Sequence, residues 1–142
     1  MSVTTEAVAI CPCERLGAAG GDLLQAAEAG DELAHRLLED DAYLERIIEE
    51  FAHTLRSVSP RNIVGLSPEG KMLAARLRLE VEADSRGPVA LIDVTIATGI
   101  SARAMVTGLD TDDVVLLAIA GRKEALQHVG FPTYLSHQCL CG

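Results

Sequence analysis

Apolar residues recur along this chain in two rhythms, and the change between them divides it. From Asp22 to Ser57 the rhythm is helical. Leu44, Ile47, Ile48, Phe51, Ala52 and Leu55 follow the i, i+3, i+4, i+7 spacing of one helix face, while Glu45, Arg46, Glu49 and Glu50 take the other side as a solvated acidic face. Asp40 or Asp41 suits the N-cap, and Ser59-Pro60 stops the helix. The preceding helix, Asp22–Leu38, is expected to break near Gly30-Asp31, since glycine weakens a helix interior and aspartate can cap a second piece.

The second half alternates. Ile63–Leu66, Val89–Ile96 and Val114–Ala120 are apolar runs, and Thr133–Ser136 reads as a last strand. Between them lie helical stretches at Met72–Arg78, Ser101–Leu109 and Arg122–Val129, the last stopped by Gly130 and Pro132. Ser67–Lys71 reads as a loop, Leu79–Ala83 as a short strand and Asp84–Pro88 as a turn. Strands of continuous apolar character alternating with helices predict an α/β fold, with a mostly parallel sheet covered on both faces and right-handed crossovers. The expected organisation is one domain over residues 1–142, with a helical hood or dimer surface at 14–58 and the sheet core at 61–136.

The run Val89–Ile92 delivers Asp93 to the carboxyl end of a strand, and Ala97-Thr98-Gly99-Ile100-Ser101 then opens a helix. A helix start offers unpaired N–H groups and the positive end of the helix dipole, which suits a phosphate. Gly99 lets the backbone approach a ligand, and the Thr98 and Ser101 hydroxyls add donors. The same residues also fit an ordinary strand–helix turn, with Ser101 as N-cap and Asp93 as a turn residue. Spacing alone leaves both readings open. Gly70 and Lys71 form a second candidate phosphate contact, against the reading of Lys71 as a solvated loop lysine.

The string from Val89 to Ser101 resembles the phosphoribosyl pyrophosphate (PRPP) signature of type I phosphoribosyltransferases, with the orotate-type members nearest. Asp93 matches the first of that family's two acids, Thr98 and Gly99 its loop, and Ser101 the closing hydroxyl. Ile63–Leu77, with Gly65 and Pro68-Glu69-Gly70-Lys71, is similar to the family's pyrophosphate-loop strand and helix, and Arg122–Leu126 with Gly130 to its late helix. The resemblance implies a PRPP, nucleotide or phosphosugar ligand carrying Mg²⁺, bound by Asp93, Ala97, Thr98, Gly99, Ile100, Ser101, Gly70 and Lys71. Three departures bear on activity. Val94 stands where the second acid belongs, Ile100 where the second loop glycine belongs, and only Leu79–Pro88 is available for the family's long closing loop. They favour a binding protein over an active phosphoribosyltransferase working on a nitrogenous base.

Charge and cysteines complete the picture. A net charge of −9 and only two Phe, two Tyr and no Trp argue against nucleic acid as partner, because both phosphate neutralisation and base stacking lack their residues. No apolar run reaches the length of a membrane span, and Met1–Ile10 carries Glu6 but no Lys or Arg, so the expected compartment is the cytoplasm; the resemblance implies a small phosphorylated metabolite as partner. A homodimer through the helical region is the candidate assembly. Cys11-Pro12-Cys13 and Cys139-Leu140-Cys141 are matched pairs whose four thiolates would suit zinc or an iron–sulfur cluster, with His137 as an accessory ligand. Disulfides and buried free thiols remain the alternatives. His35, His53 and His128 show no metal-ligand spacing. A metal or cluster carrier on the same scaffold is therefore the other functional class.

Overall fold

The computed structural model describes residues 23–96, 100–109, 111–121, 125 and 129–136. Two helices come first, α1 (Leu23–Glu39) and α2 (Asp41–Val58), joined through the single residue Asp40. Asp40 is extended and caps α2: its carboxylate accepts from Tyr43 N–H at 3.1 Å and from Arg36 Nε at 2.8 Å. The apolar face of α2 is buried as its spacing requires, with Tyr43 added and Leu44 only partly covered.

α1 does not break at Gly30-Asp31; it runs unbroken to Glu39. The glycine answers a packing need instead. A β-carbon at Gly30 would stand 2.9 Å from Thr95 Oγ1, so its absence lets α1 cross close over the sheet.

The sheet contains β1 (Asn62–Gly65), β2 (Val89–Ile96), β3 (Val114–Gly121) and β4 (Thr133–Leu135), in the order β1-β2-β3-β4, and every pairing is parallel. Between β1 and β2 lies α3 (Pro68–Glu80), and between β2 and β3 lies α4 (Ile100–Thr107). Ala125 and Val129, between β3 and β4, are helical and buried. The expected mostly parallel α/β sheet with a helical N-terminal region is thus present.

Two element assignments differ from the sequence pattern. Ser67–Lys71 is not a loop: Ser67 is the N-cap of α3, accepting from Gly70 N–H at 2.9 Å, and Pro68 occupies the first turn, where its missing N–H costs nothing. Leu79–Ala83 is not a strand. The buried helical series Leu73, Ala74, Leu77 carries α3 on to Glu80, and Val81 N–H still bonds Leu77 O at 3.0 Å.

Both faces of the sheet are covered. One core joins α1, α2 and α3 to Ile63, Ala90, Ile92, Val94, Leu117 and Ile119. The other joins Ala102 of α4, Ala125 and Val129 to Val89, Leu91, Leu116 and Ala118. Adjacent β2 residues therefore face opposite cores, which explains an unbroken apolar run. The strands step across the sheet in one direction; α3 packs into the first core and Ala102 of α4 into the second.

Candidate functional site at the carboxyl end of β2

Open α/β sheets bind ligands in the crevice outside the carboxyl ends of their strands, and β1 and β2 end side by side with α3 starting between them. Asp93 lies there, near the end of β2, half-buried.

A short chain of hydrogen bonds fixes its carboxylate. Gly70 N–H donates to Ser67 Oγ at 2.9 Å, the Ser67 hydroxyl donates to Asp93, and Val94 N–H donates to Asp93 Oδ1 at 2.7 Å. Burial nevertheless pushes the Asp93 carboxyl above the ordinary carboxylate range. The two hydrogen bonds pull it back down, and the neighbouring Glu69 carboxylate adds a smaller upward push. The helix start is wedged against the strand end. A β-carbon at Gly70 would stand 2.6 Å from Ile92 O and 3.0 Å from Ser67 Oγ.

The candidate residues are placed as follows. Asp93 and Gly70 come together in this crevice, while the Lys71 side chain is exposed in the first turn of α3. Ile100 begins α4 and is 69% exposed, and Ser101 follows it in the helix. Ala97, Thr98 and Gly99 lie outside the described residues, as do Cys11, Cys13, Cys139 and Cys141. Among the described residues, no group of three or more His, Cys, Asp or Glu is placed to hold a metal ion. Val94, at the position of the second acid in the resembled signature, packs into the first core at 4% exposure.

Ser67 and Glu69 are the members that sequence reasoning missed. The signal was present, since Ser followed by Pro is a helix-start signature, but nothing local says that this start abuts Asp93. No helix among the described residues is long and apolar enough to cross a membrane. No family model, curated protein or solved structure matches the chain.

Proposed function

We propose that this chain is a phosphoribosyltransferase-like binding protein, which holds PRPP or a nucleotide or phosphosugar of similar chemistry at the crevice beside Asp93 and does not turn it over. The observation that carries the reading is Asp93 itself. A carboxylate kept in a desolvated place at the carboxyl end of a central strand opposes its own ionisation, and such groups concentrate at functional sites. In this reading Asp93 meets the ribose hydroxyls, and the N–H groups of residues 97–101 receive the phosphate.

The start of α3 is a poor alternative for the phosphate. Pro68 has no N–H, the Gly70 N–H is taken by Ser67, and Lys71 N–H bonds Ser67 O at 2.7 Å. Magnesium would arrive with the ligand's pyrophosphate, and Asp93 and Glu69 are the carboxylates placed to meet it.

Two features favour binding without catalysis. Val94 is a core residue, so the second carboxylate of the resembled signature has no substitute at that position. The segment from Val81 to Pro88, which takes the closing loop's place in the sequence, lies at the amino end of β2, away from Asp93, and is pinned. Asp84 N–H bonds Pro60 O at 3.0 Å, and Arg61 Nε bonds Gly87 O at 2.6 Å. A lid that excludes water must move, and this segment is tied down.

Titration calorimetry with PRPP and with ribose 5-phosphate, in the presence of Mg²⁺, tests the proposal. Binding is expected, and Thr98→Ala, Ser101→Ala and Asp93→Asn should each weaken it, by about 1.5–3 kcal/mol per lost hydrogen bond to a charged group. Absence of binding to any phosphosugar or nucleotide would overturn it. Release of pyrophosphate from PRPP on adding a nitrogenous base would overturn its non-catalytic part.

A further inference from the structure

At the opposite end of the sheet from Asp93, an open cleft of about 490 Å³ lies between the start of β1 and the end of α3. That volume is within the range of small-molecule sites, roughly 300–1,000 Å³. Its apolar wall includes Pro60, Ile63, Val81 and Leu79, the last of which is 83% exposed.

Two arginines line the cleft, and both are held in place by backbone carbonyls. Arg61 donates through Nε to Gly87 O at 2.6 Å, and Arg78 through Nε to Ile63 O at 3.0 Å. Each bond spends Nε alone. Among the described residues the Nη groups of both arginines have no hydrogen bond or ion pair, so two oriented guanidinium ends are left to meet an anion.

The charge around them sets what kind of anion fits. Glu80 lines the cleft but is matched by Arg56, whose Nη2 donates to Glu80 O at 3.3 Å and stands 3.9 Å from Glu80 Oε1. Glu82 has no such partner among the described residues. Two arginines against Glu82 leave a single positive charge, on a chain whose net charge is −9. A doubly charged phosphate would exceed that and face Glu82, whereas one carboxylate matches it and presents two oxygens to the guanidinium ends. Leu79, exposed at the rim, suits an apolar body on the same molecule.

We propose that this cleft binds a small organic carboxylate with an apolar body, its charge on Arg61 and Arg78 and its apolar part against Leu79. The edge of β1 is closed to the other obvious occupant, an added strand. Ile63 N–H is taken by Asn62 Oδ1 at 2.8 Å and Ile63 O by Arg78, so the outward backbone groups at this point are already paired.

Amide-resolved NMR titration of the full chain with benzoate and with hexanoate tests the assignment, with benzamide and inorganic phosphate alongside. Both carboxylates should give saturable shifts at Asn62–Ile63 and Leu79–Ala83, at millimolar dissociation constants or tighter. Arg61→Gln should weaken them about tenfold, and so should Arg78→Gln. Because Arg78 also caps Ile63 O, Arg78→Lys replaces Arg78→Gln should the latter unfold. The proposal is overturned if no shift saturates by about 10 mM, if benzamide binds as well as benzoate, if phosphate binds more tightly, or if the arginine variants bind unchanged. PRPP and its relatives are absent from this titration, so this proposal and the one at Asp93 fail independently.

Discussion

Asp93 and Asp40 are both aspartates held by a backbone N–H, yet their surroundings push them in opposite directions. Burial raises Asp93 above its ordinary value of 3.8, whereas the Tyr43 N–H and the Arg36 side chain lower Asp40 below it. For Asp93 the native state binds the proton more tightly than the unfolded chain does. Its contribution to stability is therefore full below the unfolded value and is lost as pH rises through the folded value. For Asp40 the contribution is present above the unfolded value and is lost as pH falls through the folded one. Asparagine keeps an acceptor oxygen at each position and removes only the charge. Thermal melts should then show Asp93→Asn gaining on wild type as pH rises from about 4 to 7, and Asp40→Asn losing ground as pH rises from about 2 to 4. Parallel pH dependences for the two variants would contradict this account.

At the same scale, Gly70→Ala sets helix propensity against space. Alanine gains about 1 kcal/mol in a helix interior. Its β-carbon, however, would stand 2.6 Å from Ile92 O, a backbone atom that also accepts Leu66 N–H at 2.9 Å and cannot easily yield. We expect a net loss of about 1–3 kcal/mol, read by denaturant unfolding. A stabilised variant would mean that α3 does not start where it is placed against β2.

Among the elements, β4 needs the most explanation, because three residues on a sheet edge hold little by themselves. Its anchor comes from α2. Tyr134 OH donates to Glu50 Oε2 at 2.7 Å, Ser136 Oγ donates to Glu50 Oε1 at 2.6 Å, and the Tyr134 ring meets Phe51 edge-on at 6.4 Å. Tyr134→Phe keeps the ring contact and removes the bond to the carboxylate. The expected cost is about 1–2 kcal/mol, with faster hydrogen exchange at Thr133–Leu135. Unchanged stability and exchange in this variant would show that ring packing alone docks β4.

For the molecule as a whole, the two ends of the sheet have different characters. The carboxyl end between β1 and β2 carries Asp93 and the start of α3, while the amino end carries the pinned Val81–Pro88 segment and the arginine-lined cleft. If PRPP binds beside Asp93, hydrogen exchange should slow at Asp93–Ile96 and through residues 97–101 and stay unchanged at Val81–Pro88. Comparable protection of Val81–Pro88, at the far end of the sheet, would contradict this placement of the ligand.

Local chemistry was enough to read most of the elements. The face of α2 follows from side-chain period, and β2 and β3 follow from apolar runs long enough for a strand and too short for a core helix. Asp93 could be picked out because a polar residue at the end of such a run is conspicuous. What local chemistry misread was decided by contacts distant in sequence. Gly30 looks like a helix break until Thr95 is seen beneath it, and Ser67–Lys71 looks like a loop until its start is packed onto Ile92 and Asp93. Leu79 and Val81 alternate like a strand, but α3 already has its buried face and continues. That α1, α2 and α3 share one core while Ala102, Ala125 and Val129 enter the other was likewise decided by packing, which no single stretch of sequence encodes.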